Sequence, residues 1–313
     1  MKIFALFIVI LISNKVHAEA FNKVRNAVFK DPLDTLPQHE GISIKGILNA
    51  FVAHKGRIVS DSRSIFQSES DFRADSVKLL HPRGVCSYGT WIINEDSKFT
   101  GLFEKGTEVP VIVRFSSGTD VSAKVEEGTE RIFGIAVKVF PSRNIHEDVI
   151  TTNIIGLDKY GFEASKRRSF FFEDESKKPV YFTNIAPAKS FLGKTLAKFF
   201  DRFDKPNFAR LVYKTAQVDQ DNRRVEKFKS PYEVRFIPGK EMPLMNKYDF
   251  REEILSINRT NIMRLEIWIH QDENAKPYVR KVGEILLNKS IVSNACDKTL
   301  HFHHSRTVEK LSH

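Results

Sequence analysis

The sequence predicts an α+β fold, an antiparallel β-barrel with flanking helices, and three observations point there. Between residues 77 and 156, Val, Ile and Phe alternate with polar residues, and Gly84, Gly101, Gly106, Gly118, Gly128 and Gly134 punctuate the runs. Strand side chains alternate between faces, so this rhythm reads as antiparallel strands joined by turns. Near residue 158 the period changes: Leu192, Leu196, Phe199, Phe200 and Phe203 recur at helical spacing, with Lys189, Lys194 and Lys198 filling much of the rest. Pro187 suits a first helical turn and Pro206 lies just past the end. The aromatic stripe is read as core packing. Strand signals return in YEVRFIP (232–238), RLEIWIHQ (264–271) and VGEILLN (282–288), with a short helix near 248–256. Two strand-rich blocks divided by helices fit one domain built around a barrel.

The chain opens with Lys2, an apolar run from Ile3 to Ile12, and Ser13 to Ala18. Val16-His17-Ala18 sets small side chains at the positions that define cleavage, so residues 1–18 read as a signal peptide cut after Ala18. The run is shorter than the roughly 20 apolar residues that a spanning helix needs. The expected product is secreted or periplasmic, with no transmembrane segment after cleavage. Residues 19–75, with Pro32, Pro37 and Gly41, read as an arm holding one or two short helices, 45–54 among them. Residues 76–313 form the barrel domain.

The 26 Phe supply a large core. The formal charge of +10 loses Lys2 and Lys15 with the leader, and what is left reads as a solvated basic surface. The chain carries no nucleic-acid module, so no nucleic acid is expected as a partner. Cys86 and Cys296 are the only cysteines. Export permits their pairing, and a buried free thiol at Cys86 is an equal reading. Two cysteines make neither a disulfide scaffold nor a four-ligand zinc site. His301, His303 and His304 suggest a metal, but side chains this close in sequence do not converge readily on one ion.

The chemistry centres on VIVRFS. Arg114, Ser116 and Ile112 share one face of this strand, and Val111, Val113 and Phe115 the other. A cation inside an apolar strand needs an anionic partner, either an Asp or Glu of the chain or a ligand carboxylate. His81, in LLHPRG, becomes a proton-transfer group only if its second ring nitrogen is oriented. Ser116 can do that where the segments neighbour each other, and the Asn153 amide, in ITTN, can donate to a ligand oxygen opposite. A small polar cluster in apolar surroundings is a default site.

These motifs, in this order, resemble catalases over residues 76–156. His81-Pro82-Arg83-Gly84 resembles the segment of the family's distal His, Val113-Arg114-Phe115-Ser116 keeps its VRFS strand, and Phe133-Gly134-Ile135-Ala136-Val137-Lys138 resembles its RGFAVK strand. Asp148-Val149-Ile150 precedes Asn153 as an Asp-apolar-apolar triplet precedes the family's distal Asn. The length, and the segments Cys296-Asp297-Lys298 and Leu300-His301-Phe302, resemble the small bacterial catalase-related haem proteins, many of them exported. The resemblance implies a catalase-like barrel, haem b, and reduction of hydrogen peroxide or organic hydroperoxides with a small-molecule electron donor. It makes His81 and Asn153 catalytic and Ser116 the support of His81. It sets Arg114, with Lys78 in place of a family Arg, on the haem propionates.

The family's iron ligand is a Tyr preceded four residues earlier by Arg. None of the seven Tyr (88, 160, 181, 213, 232, 248 and 278) has that Arg. The metal ligand is therefore unknown, and the expectation is a barrel domain that is incomplete at its C-terminal end. Two further readings follow: a haem-deficient or truncated catalase-fold binding protein, and a fatty-acid hydroperoxide isomerase or lyase on the same fold.

Overall fold

The computed structural model describes residues 19–36, 81, 83–97, 99–117, 133–142, 145–152, 170–173, 178–183, 231, 233–240, 242, 249–270, 279–300 and 302. The leader, the helices expected at 45–54 and 187–203, and Lys78, Asn153, His301, His303 and His304 lie outside them.

Alternation in the sequence becomes a closed barrel. Its strands are β1 (Arg83–Ile93), β2 (Glu108–Ser117), β3 (Phe133–Ser142), β4 (Ile145–Thr152), β7 (Phe182–Thr183), β8 (Glu233–Pro238), β9 (Met263–His270) and β10 (Val279–Ile291). They are hydrogen-bonded in the order β1-β10-β9-β8-β7-β4-β3-β2, all antiparallel. The strands β5 (Phe172–Glu173) and β6 (Lys178–Pro179) form a separate two-stranded ribbon. The strand expected at 282–288 is longer than its sequence signal, because Arg280 and Lys281 also pair with β9.

One parity of the strands fills the interior. Val85, Val113, Phe115, Ile135, Val137, Phe236, Ile267 and Ile285 belong to a single buried cluster. Phe170 is central to it, in ring contact with Phe115, Phe133, Phe171, Phe182 and Phe250. The buried indole of Trp91 donates to the Leu102 carbonyl at 2.8 Å, so its polar atom costs little. Helix α2 (Phe250–Thr260) begins two residues later than the expected 248–256 and ends four residues later. Asp249 caps it by accepting from the Arg251 amide at 2.9 Å.

Much of the other parity of β1–β3 is also buried, under two pieces of chain. Helix α1, over 19–29, lays Phe21, Val24 and Val28 on this outer face, at the spacing of one helical stripe. The C-terminal π-type turn, Ala295–Thr299, covers it from the other side. Phe21, Val24, Val28, Cys86, Ile112, Phe140, Ile291, Cys296 and Leu300 form a second buried cluster there. Ser293 joins the two covers, donating to the Val28 carbonyl at 2.7 Å and accepting from the Cys296 amide at 3.0 Å.

Cys86 and Cys296 are bonded, closing a sequence separation of 210 residues. Pairing, not a free thiol, is thus the state of Cys86, and it fastens the C-terminal turn to β1. Replacing both cysteines by Ala is expected to lower the unfolding free energy by about 2–5 kcal/mol. Guanidinium denaturation beside the parent protein measures this, and an unchanged midpoint would contradict a clamping role.

Candidate functional site

Register builds the site on the covered outer face. Gly84, Ser116, Gly134 and Thr152 stand abreast across β1–β4. The next row is Cys86, Arg114, Ala136 and Ile150, and the third is Tyr88, Ile112, Lys138 and Asp148. Two motif residues thereby become partners. The Lys138 ammonium donates to both Asp148 carboxylate oxygens at 3.0 Å, fully buried, and lies 5.4 Å from the centre of the Phe302 ring. A buried charge survives only when paired this closely.

His81 precedes β1 and folds over the first row. Its φ of 57° is in the left-handed region, where a side chain other than Gly is held only by its surroundings. The following neighbours hold it among the described residues. Ser116 Oγ lies 3.1 Å from His81 Nδ1. Arg114 Nη2 donates to the His81 carbonyl at 2.9 Å. Gly134 lies beneath the ring: a Cβ there would stand 2.9 Å from Cε1 and 3.2 Å from Nδ1. Of the residues singled out in the sequence, the structure brings together His81, Ser116 and Arg114.

Arg114 is 4% exposed, so its cation needs an anion at hand. That anion is Asp297, which sequence reasoning did not connect to it. Arg114 Nη2 lies 3.3 Å from Asp297 Oδ1, and Arg114 Nε donates to the Cys296 carbonyl at 3.0 Å. Asp297 also accepts from the Gly84 amide at 2.8 Å and faces Arg83 Nη1 at 3.4 Å. Burial pulls the guanidinium below its ordinary pKa, and Asp297 opposes that pull. Gly84 carries no side chain because a Cβ would meet the Phe115 carbonyl at 2.5 Å and Arg114 Cζ at 2.9 Å. A signal for Asp297 did exist in the sequence. A bond between the only two cysteines sets residue 297 beside residue 86, and the register sets residue 114 beside residue 86 as well.

These donors fit a haem at one end only. The oriented His81 suits the acid–base side of such a site. The carboxylate that Arg114 would take from a propionate is instead supplied by Asp297. Among the described residues no group of three or more His, Cys, Asp or Glu could hold a metal ion. Arg114 is thus not held as a propionate partner in the way the resemblance implies, because its carboxylate comes from the chain.

The chain matches no family model and no curated protein. Among solved structures it is similar to a fungal catalase, at 15% identity and TM-score 0.35, over 90% of this chain and 63% of that one. It is similar to catalase A from Saccharomyces cerevisiae at 15% identity and TM-score 0.34, covering 83% of this chain and 59% of that one. A bacterial catalase matches at 15% identity and TM-score 0.34, covering 82% and 55%. The chain spans less than two thirds of the length of each.

Gly134→Ala is expected to push His81 off its seat. It should lower stability by about 1–3 kcal/mol, the usual cost of overpacking, and shift the His81 ring resonances in NMR spectra. Unchanged resonances at unchanged stability would contradict the seat.

Proposed function

We propose that this chain is an exported, catalase-like peroxide-reducing protein in which His81 moves the protons and haem b is the redox cofactor. The observation that carries the reading is the contact of Ser116 with His81 Nδ1 over bare Gly134. In the tautomer with Nδ1 protonated, Nδ1–H donates to Ser116 and Nε2 carries the lone pair of a general base. Nε2 is then the atom that would accept a proton from a peroxide oxygen and later return it. Asn153 is the proposed donor to the peroxide, and Lys78 a cation at the cofactor's edge. The haem would supply the electron chemistry of O–O cleavage when bound, and the chain supplies orientation and proton handling. Export is supported by the apolar leader and by the Cys86–Cys296 bond, which persists in oxidising compartments.

One observation favours a second reading. Arg114 has its carboxylate within the chain, as expected of a barrel that keeps the His–Ser pair and binds a small ligand without haem.

A titration of residues 19–313 with hemin separates the two. The first reading expects a sharp Soret band at one hemin per chain, with peroxide reduction by the loaded protein. His81→Ala should then lower turnover by about 10²–10⁴, the usual worth of acid–base help, while hemin binding persists. Full turnover by His81→Ala would overturn the role of His81. Absence of a specific Soret band would overturn the haem and favour the second reading.

A further inference from the structure

We propose that Asp297 is the tethered occupant of a carboxylate-binding cradle and acts as a positioning residue for His81 through Arg114. The inference stands on the described residues alone and does not depend on haem. The cradle has three donors around one carboxylate: the Gly84 amide at 2.8 Å, Arg114 Nη2 at 3.3 Å and Arg83 Nη1 at 3.4 Å. One backbone N–H and two guanidinium groups converging on one place form an anion site whether the carboxylate belongs to a ligand or to the chain. Here it belongs to the chain, 3% exposed.

Arg114 passes the effect on. The same Nη2 that faces Asp297 also donates to the His81 carbonyl at 2.9 Å. Its Nε is fixed on the Cys296 carbonyl, one residue before Asp297. The guanidinium is thus held by the C-terminal turn and holds His81 in turn, at the φ of 57° that sets the ring on Ser116 and Gly134. Without a carboxylate in the cradle, a buried guanidinium reorients toward solvent or an added anion. The His81 carbonyl then loses its donor, and the left-handed backbone loses a restraint. The Cys86–Cys296 bond keeps the turn and its carboxylate in place, and both cysteines are fully buried. Tethering replaces a dissociable ligand by a permanent one, which removes the cost of association.

The cradle is sized for a carboxylate, so formate is the probe. Protein carrying 15N-labelled histidine, without hemin, is compared as parent, Asp297→Ala and Asp297→Ala with Arg114→Met. His81 resonances are assigned with His81→Gln. In Asp297→Ala the His81 ring signals are expected to leave their parent positions. Millimolar sodium formate should bring them back in a saturable titration, and sodium chloride at equal ionic strength should not. The double variant should show no response to formate, and Asp297→Glu should restore the parent spectrum in part. His81 signals unchanged in folded Asp297→Ala, or formate without effect, would overturn the proposal. Should Asp297→Ala not fold, Asp297→Asn fills the cradle without charge. Displaced His81 signals in that variant support the positioning role, and parent-like signals overturn it. Failure of the hemin titration leaves all of these outcomes intact.

Discussion

A guanidinium inside an apolar wall is the constraint from which the site follows. Arg114 lies on β2 between rows of buried residues, in an environment where an unpaired charge costs several kcal/mol, a large share of a domain's stability. The chain answers with Asp297, 183 residues away in sequence. To deliver that carboxylate the C-terminal segment must return to the first strand, make a π-type turn, and be held there. The disulfide to Cys86, the Ser293 contacts and the apolar face of α1 all serve the same docking. Removing one partner of such a pair is far more damaging than never having had it, because the other charge stays buried.

The neighbouring row shows how the same face holds an imidazole. Gly84, Ser116 and Gly134 are small, so the sheet presents a shallow seat and not a packed surface. His81 occupies the seat with its ring oriented by a hydroxyl and its backbone gripped by Arg114. On the other side of the Arg114 row, Lys138 and Asp148 close the face with a second buried pair. Charge pairing, a strained residue and bare glycines alternate along β1–β4, while the opposite face of the same strands is ordinary aliphatic and aromatic core. The seating of His81 therefore rests on electrostatics on one side of the sheet and on packing on the other.

Much of the barrel was legible from period-two alternation. The strands of VIVRFS, FGIAVK, YEVRFIP, RLEIWIHQ and VGEILLN stand where the pattern sets them, because interior positions must be apolar at every second residue. Strand parity also gave the shared face of Arg114 and Ser116. The helix over 19–29 was hidden: the apolar stripe of Phe21, Val24 and Val28 is short and sits in a polar arm. Asp297 was hidden for a different reason. No local pattern reports a partner across the whole chain; only the pairing of Cys86 with Cys296 carries that information, and the sequence left that pairing open. Likewise, the motif Asp148 looked like a marker for Asn153, and its visible role is to neutralise Lys138.

The central claim is that Asp297 and Arg114 form one unit. A double-mutant cycle tests it most directly, with Arg114→Met, Asp297→Leu and the combination compared with the parent by reversible denaturation. The account predicts that each single change costs about 3–5 kcal/mol, by stranding a buried charge, and that the combination costs far less than their sum. Additive costs would contradict it, and would mean that each charge finds its stabilisation elsewhere.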